Sequence, residues 1–186
     1  MKLLIVYGST EGQTRKICEF LRDKAQGSGH KVSIIDSTGA ELDPEGFDAV
    51  IVGASVHANK YQTSIKHYVT KHAEDLNDRP GVFVSVSLTA AHDEPESWKE
   101  LNKITENFLS ETGWKPSFIE QVAGALRYTE YNFFKKFIMR LIAKKEGEST
   151  DTTKDHEYTD WGQVERIIKR LERAIANASN QKQPTK

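Results

Sequence analysis

The fold of this chain is decided by residues 3–14, which read LLIVYGSTEGQT. A short apolar run from Leu3 to Tyr7 predicts a strand, and helical spacing begins near Gly12. A strand, a tight loop and a helix start therefore follow one another closely. Such a junction places unpaired backbone N–H groups and the positive end of a helix dipole just beyond the strand, where a phosphate can bind.

The loop offers neutral hydrogen-bond donors to an anion. Its hydroxyl side chains are Ser9, Thr10 and Thr14, and it contains no Lys or Arg. This composition favours a monophosphate over a chelated triphosphate, and the two common glycine-rich nucleotide motifs are both absent from the loop. A capping box, with Thr10 as N-cap and Gln13 at the third helical position, explains the same residues without a ligand. Both interpretations stay open on local sequence alone.

Residues 5–14 resemble the phosphate-binding signature of the flavodoxin family, in which a hydroxyl-rich loop wraps the phosphate of FMN. The match includes the aromatic Tyr7 and the small Gly12. Cys18 departs from the family, which usually has alanine there, but both side chains are small enough for a helix packed on a sheet. The resemblance implies that FMN is the cofactor and that its phosphate ligands are Ser9, Thr10, Glu11, Gly12, Gln13 and Thr14.

Composition excludes several classes of protein. A chain of 186 residues suits one domain, and 26 basic against 27 acidic residues give a net charge of −1, which offers no case for a nucleic-acid partner. The single cysteine, Cys18, permits no intramolecular disulfide and favours a reducing, cytoplasmic setting. Its place on the inner face of the first helix indicates a core residue. We find neither a signal peptide nor a run of ~20 apolar residues, so we expect a soluble or peripheral protein.

Apolar runs and helical patterns alternate along the chain. This alternation predicts βαβ units and a mainly parallel sheet. The resemblance implies an α/β, flavodoxin-like three-layer sandwich with a five-stranded parallel sheet of order 2-1-3-4-5. We expect one FMN-binding domain over residues 1–178 and a disordered tail over 179–186. The predicted strands are 3–7, 31–35, 49–53, 82–86 and 117–125, and the predicted helices are 12–25, 63–76, 97–112 and 160–178.

The loops after the first, third and fourth strands open on the same edge of the sheet, where ligands bind in such folds. In the flavodoxin family these loops hold a flat ring between them. Each candidate has an ordinary alternative: His57 as a solvated loop histidine, Tyr61 as a cover for the following helix, and the serines and threonine as common loop residues. The ring candidates are Ser55, Val56, His57, Tyr61, Ser85, Ser87, Leu88 and Thr89.

No metal site is predicted. His92 lies close to Asp93, Glu94 and Glu96, which are metal-binding residue types. Their compressed spacing around Pro95 instead indicates an exposed acidic loop.

A helical insert of about 126–150 follows the fifth strand. A helix over 131–145 would have an apolar face, and residues 127–147 carry a net charge of +4, from six basic and two acidic side chains. Such a helix can lie on a membrane surface, bind a hydrophobic dianion or dock on the domain's own core. All three remain open. The apolar residues of this face are Phe134, Phe137, Ile138, Leu141 and Ile142.

A narrower resemblance covers nearly the whole chain, from Lys2 to about Ala174. The runs 123–128, 147–152 and 158–161, together with the basic aromatic insert, resemble bacterial menaquinone-dependent protoporphyrinogen oxidases. This implies FMN-dependent oxidation of protoporphyrinogen IX to protoporphyrin IX in haem biosynthesis, with electrons passed to menaquinone or another quinone. It also implies a peripheral position on the inner face of the cell membrane.

The chemistry of that reaction belongs to the flavin, so no catalytic acid or base is expected. Protoporphyrinogen carries two propionates, which basic side chains can bind. Asp151 is expected to hydrogen-bond where the insert returns towards the cofactor, although a turn or N-cap role is equally possible. The substrate candidates are Arg127, Lys135, Lys136 and Arg140 for the propionates and Tyr128, Tyr131, Phe133 and Phe134 for ring packing.

Three other functions compete with this one. Flavodoxin-type electron carriers are usually strongly acidic and lack a basic insert. An NAD(P)H-dependent quinone reductase is less favoured because no nicotinamide motif is visible. A domain that has lost FMN would not need the complete hydroxyl-rich loop.

Overall fold

The computed structural model describes residues 1–126 and 156–181. Five parallel strands form the central sheet: β1 (Lys2–Gly8), β2 (Lys31–Asp36), β3 (Ala49–Ser55), β4 (Gly81–Ser87) and β5 (Phe118–Ala123). The helices are α1 (Gln13–Gly27), α2 (Thr63–Lys71), α3 (Ala73–Asn77), α4 (Pro95–Thr112) and α5 (Trp161–Gln181). Single 3-10 turns occur at Pro44–Gly46 and Thr89–Ala91. A short antiparallel pair joins β6 (Ala125–Leu126) to β7 (His156–Glu157).

The strand order is β2-β1-β3-β4-β5, as predicted. Alternate residues of each strand point to opposite faces, so Leu3 and Ile5 join one core cluster while Leu4 and Val6 join the other. The first cluster packs under α1 and α5, and the second packs under α2, α3 and α4. Because both faces of the sheet are covered, the central strands β1 and β3 carry continuous apolar runs. The predicted three-layer sandwich is confirmed.

Glycines in the left-handed conformation lie just beyond the ends of α1 and α4. After α1, Gly29 has φ 81°, and the N–H groups of Gly29 and His30 donate to the carbonyls of Gln26 and Ala25 at 2.9 and 3.0 Å. This is the Schellman pattern, which satisfies the last carbonyls of a helix. Gly113 ends α4 with φ 71°. α1 and α4 end within two residues of their predicted ends at 25 and 112.

Several boundaries differ from the prediction. The expected helix over 63–76 is broken at His72, whose side chain is 8% exposed and whose Nε2 lies 2.6 Å from Glu41 Oε1. α4 begins at Pro95 rather than Ser97, because proline is well suited to the first turn of a helix. α5 continues to Gln181, into the stretch that was expected to be a disordered tail.

The fifth strand ends at Ala123, two residues before its predicted end, because Gly124 donates its N–H to Ser87 O and the chain then pairs with β7. The predicted helix over 131–145 lies outside the described residues. Within the part of the chain that is described, no helix has both the length and the apolar character needed to cross a bilayer.

Candidate functional site

A cavity of about 900 Å³ opens at the carboxyl edge of the sheet. It lies where β1, β3 and β4 end, which is the usual ligand position in open parallel sheets. The loops after β1 and β3, the end of β4 and the first residues beyond β5 form its walls. The lining residues are Ser9, Thr10, Glu11, Gln13, Thr14, Ser55, Val56, His57, Ala58, Asn59, Val86, Ser87, Leu88, Gly124 and Ala125.

The loop after β1 is shaped by Gly12, which has φ 89° and donates its N–H to Ser9 Oγ at 3.0 Å. This left-handed conformation favours glycine. α1 begins at Gln13 with no side-chain cap, so the capping box of Thr10 and Gln13 is not formed. The first-turn N–H groups of α1 lack intrahelical acceptors and can bind an anion.

The hydroxyl of Thr14 bears on whether this loop fits a phosphate. The residue is 1% exposed and lines the cavity. Its Oγ1 atom is buried and has no hydrogen-bond partner among the described residues. A buried hydroxyl without a partner costs about 1–3 kcal/mol. A phosphate oxygen would accept its hydrogen, so the residues present fit the phosphate of FMN.

The loop after β3 forms a tight hairpin turn over residues 57–60. The N–H of His57 donates to Lys60 O at 2.9 Å, and the N–H of Lys60 donates to His57 O at 3.0 Å. The two central residues, Ala58 and Asn59, have φ of 47° and 62°. Burial lowers the pKa of His57, so its imidazole is neutral at pH 7. The turn therefore presents a fixed, uncharged wall to the cavity.

The model of the flavodoxin domain matches residues 4–153, which is most of the chain. The chain belongs to the flavodoxin domain family. Its predicted cofactor, FMN, is confirmed at the level of this family.

Two curated relatives of this flavodoxin-domain chain share one name. The chain is 35% identical over 172 residues to protoporphyrinogen IX dehydrogenase [quinone] of Escherichia coli (strain K12), and the match covers 92% of this chain and 94% of that protein. It is 32% identical over 168 residues to the protein of the same name from Leishmania major, covering 89% and 72% of the two chains. The predicted relationship to this group and the assignment as an oxidoreductase are confirmed.

Solved structures agree on the fold. The chain is similar to a short-chain flavodoxin associated with a non-canonical PDU bacterial microcompartment, with a TM-score of 0.59 and 9% identity over 94% of this chain and 99% of that one. It is also similar to a flavodoxin from the domain Archaea, with a TM-score of 0.55 and 15% identity over 95% and 99% of the chains. At these identities the likeness concerns architecture alone.

In this flavodoxin-domain protein, ten of the predicted cofactor residues line the cavity. Tyr61 and Ser85 do not: the Tyr61 hydroxyl lies 2.8 Å from Ser85 Oγ and 2.8 Å from Thr105 Oγ1. The Tyr61 ring packs edge-on against Phe83 and Phe108, with centroids 5.0 and 4.9 Å apart. Tyr61 therefore packs between β4 and α4, whereas its ordinary alternative placed it against the following helix, α2.

The remaining predicted residues fall into two groups. Gly12 acts through its backbone, and Thr89 lies in the 3-10 turn after β4, outside the cavity lining. The other group lies outside the described residues: Arg127, Tyr128, Tyr131, Phe133, Phe134, Lys135, Lys136, Arg140 and Asp151.

Sequence reasoning missed a link between the two cavity loops. Gln62 Nε2 donates to Thr10 Oγ1 at 3.3 Å and to Ser55 Oγ at 2.5 Å. A Cβ atom on Gly8 would lie 3.2 Å from Gln62 Oε1 and 2.6 Å from Ile65 Cγ1. Gly8 thus leaves the space in which Gln62 crosses between the loops. No local pattern marks a glutamine at the start of α2 for this role.

The cavity wall formed by Gly124 and Ala125 was also missed, because both residues were assigned to the fifth strand. Ala125 pairs with Glu157 in the antiparallel β6–β7 ladder. Glu157 in turn accepts hydrogen bonds from Lys16 Nζ at 2.5 Å and Trp161 Nε1 at 2.7 Å. The parallel strand order was the available signal, since it places the end of β5 beside the end of β4.

Glu157→Gln is expected to lower the melting temperature at pH 7 by a few degrees, since a partly exposed ion pair contributes about 1 kcal/mol or less. Burial alone would raise the pKa of Glu157, but the hydrogen bonds from Lys16 and Trp161 and the charge of Lys16 outweigh it and lower that pKa. A lowered folded pKa adds stability above the unfolded value of about 4.3 and loses it as pH falls through the folded pKa.

Thermal melts of both proteins from about pH 7 to pH 3 measure this effect, because the unfolded pKa of glutamate lies inside that range. The two melting temperatures should converge at the acid end. A constant difference across the range would contradict an ionic contribution from Glu157.

Among the described residues, one group of possible metal ligands comprises Asp43, His72 and Asp75, within 4.8 Å of one another. Protein partners already engage each of them. Glu41 bonds the His72 ring, Asp43 Oδ1 accepts from the N–H of Glu45, and Asp75 faces Arg79 at 3.9 Å. The group is explained by ordinary ion pairs and a turn.

Proposed function

We propose that this protein is an FMN-dependent dehydrogenase that oxidises protoporphyrinogen IX to protoporphyrin IX and passes the electrons to a quinone. The observation that carries the proposal is the extent of the match to the Escherichia coli protein. It covers 92% of the chain and therefore extends into the basic insert, which a five-stranded sandwich does not need.

The cofactor would be held by the cavity loops. The hydroxyls of Ser9, Thr10 and Thr14 and the first N–H groups of α1 suit its phosphate. The loops of Val56 and His57 and of Ser87 and Leu88 suit its ring. When bound, FMN supplies the two-electron redox chemistry. The chain's own task is to orient the ring, and the neutral His57 places no positive charge on that wall.

The substrate would bind beside the cavity through the insert. Ala125 lines the cavity, and Arg127 follows it by two residues in the sequence. A cyclic tetrapyrrole with two propionates needs apolar contact and a few cations, and Arg–carboxylate pairs are among the strongest hydrogen bonds. Arg127, Lys135, Lys136 and Arg140 suit the propionates, and Tyr128 suits the ring.

The quinone acceptor places the reaction at a membrane. A helix over 131–145 would have an apolar face and several lysines and arginines. Each basic residue near an anionic lipid surface contributes about 1 kcal/mol. We infer peripheral binding to the inner face of the cell membrane through this segment, with menaquinone as the acceptor.

The test is anaerobic mixing of FMN-loaded protein with protoporphyrinogen IX, with and without a soluble menaquinone analogue, followed by porphyrin fluorescence. Fluorescence that depends on the quinone is expected. The double variant Lys135→Ala, Lys136→Ala should lose about 10-fold or more of this activity with FMN still bound, because hydrogen bonds to charged groups contribute about 1.5–3 kcal/mol each.

The charge-matched control is Lys144→Ala, Lys145→Ala, which removes the same charge from the end of the insert. It should keep the activity with soluble quinone. Both double variants should bind anionic vesicles more weakly than the unaltered protein does. Neutral phosphatidylcholine vesicles should not distinguish the variants from the unaltered protein. A yellow protein without porphyrin fluorescence would overturn the proposal and favour an electron carrier, and flavin reduction by NADPH would favour the quinone reductase.

A further inference from the structure

The start of α1 is not fixed by its own sequence. Its N-cap is Gly12 with φ 89°, and no side chain caps the helix. Capping side chains ordinarily satisfy the first N–H groups and fix their direction. Beyond the local bond from Gly12 N–H to Ser9 Oγ, contacts from elsewhere in the fold therefore help to position the loop that we assign to the FMN phosphate.

One such contact comes from the far end of the chain. Gln13, the first residue of α1, is 9% exposed and lines the cavity. Its Nε2 atom donates to Thr159 Oγ1 at 2.9 Å, across 146 residues of sequence. This buried hydrogen bond anchors the first turn of the helix to the segment that follows β7.

The hydroxyl of Thr159 has two partners with opposite roles. It donates its single hydrogen to Ala123 O, at the end of β5, at 2.7 Å. Towards Gln13 it can therefore only accept, which sets the orientation of the Gln13 amide. Thr159 is 9% exposed, so water does not readily replace either bond.

The neighbours of Thr159 hold it in place. The N–H of Tyr158 donates to Gly124 O at 3.0 Å, and Asp160 Oδ1 accepts from Gly162 and Gln163 at the start of α5. Thr159 is thus fixed to β5 on one side and to α5 on the other. A rigid anchor of this kind transmits position to the side chain that it binds.

We propose that Thr159 is the positioning residue of the phosphate loop: through Gln13 it aligns the first turn of α1 for the phosphate of FMN. The inference rests on the cofactor site of the proposed function. It does not depend on the substrate. It also explains how the segment after the insert and the cofactor loop are joined in one unit.

The experiment measures dissociation constants for FMN and for riboflavin, which lacks the phosphate, by quenching of flavin fluorescence. Thr159→Val keeps the shape but removes the hydroxyl, so Ala123 O loses this donor and Gln13 Nε2 loses this acceptor, while the hydrogen bond between Gln13 and Glu157 remains. FMN binding is expected to weaken about 10-fold, and riboflavin binding by less than about 2-fold. Thr159→Ser retains the hydroxyl and should restore the FMN preference.

Thr112→Val is the matched control for a merely structural loss. Thr112 is also buried, and its hydroxyl donates to Phe108 O at 2.9 Å in α4, outside the cavity lining. This variant should melt at a lower temperature while its preference for FMN over riboflavin is unchanged. Equal weakening of both flavins in Thr159→Val, or no weakening, would overturn the inference.

A second variant covers the case in which Thr159→Val does not fold. Gln13→Met removes the donor and leaves the bond between Thr159 and Ala123 intact, so the same selective loss of FMN is expected. Unchanged FMN preference in Gln13→Met would also overturn the inference. Failure of the unaltered protein to bind FMN would instead reject the proposed function.

Discussion

Gly53→Ala is expected to destabilise the protein by about 1–3 kcal/mol, the usual cost of overpacking a core. A Cβ atom at this position in β3 would lie 2.5 Å from Cys18 Sγ and 3.4 Å from Thr14 Cγ2. Contacts between heavy atoms are optimal near ~3.5–4.0 Å, so α1 must move away from the sheet. Because Gln13 and Thr14 belong to the first turn of α1, FMN affinity should fall with stability.

Thermal melts and FMN titration measure both effects, at about 2–4 °C per kcal/mol for a protein of this size. Gly27→Ala is the matched control on the same helix, because a Cβ atom there meets nothing within 4 Å. It should be neutral or stabilising by about 0.4–1 kcal/mol.

Cys18→Ala offers a rescue of Gly53→Ala. It removes the sulfur that the new methyl group meets, so the double variant should be more stable than the sum of the two single effects predicts. Additive effects would show that the sulfur contact is not the cause. Cys18 is fully buried, and burial raises the pKa of its thiol, so the substitution removes a core side chain and not a reactive group.

Thr14→Val is expected to weaken FMN binding while the protein without FMN keeps or gains stability. The Thr14 hydroxyl is buried without a partner among the described residues, so a methyl group of similar size removes a cost. The same hydroxyl would donate to the phosphate, and a hydrogen bond to a charged group contributes about 1.5–3 kcal/mol, or roughly 10-fold to 150-fold in affinity.

Melting temperatures without FMN and dissociation constants for FMN measure the two opposite effects. Thr112→Val again serves as the control, since its hydroxyl has a protein partner: it should lose stability and keep its FMN affinity. If Thr14→Val without FMN is less stable than the unaltered protein without FMN, the hydroxyl contributes to the fold itself, which would contradict its assignment to the phosphate.

Local patterns predicted the five strands, the parallel sheet and the cavity loops, and the resemblance to the flavodoxin family added the three layers and the strand order. Apolar runs such as 3–7 and 49–53 pair with one another because a buried strand has few other ways to satisfy its backbone. Each of these signals lies within a few residues, so a single sequence contains it. The predicted domain limits and the roles of the insert stay predictions.

Only the tertiary structure decided which side chains meet at the cavity. Tyr61 was expected beside the ring but packs, partly buried, against the core cluster under α2, α3 and α4, because its hydroxyl hydrogen-bonds with Ser85 and Thr105 on other elements. The sequence marked Thr159 only as part of the run 158–161. In the structure its hydroxyl accepts a hydrogen bond from Gln13, which lies 146 residues away in the sequence. Periodicity predicts on which face of a strand or helix a residue lies. A hydrogen bond between segments that are distant in the sequence forms only when those segments pack together, so no local pattern predicts it.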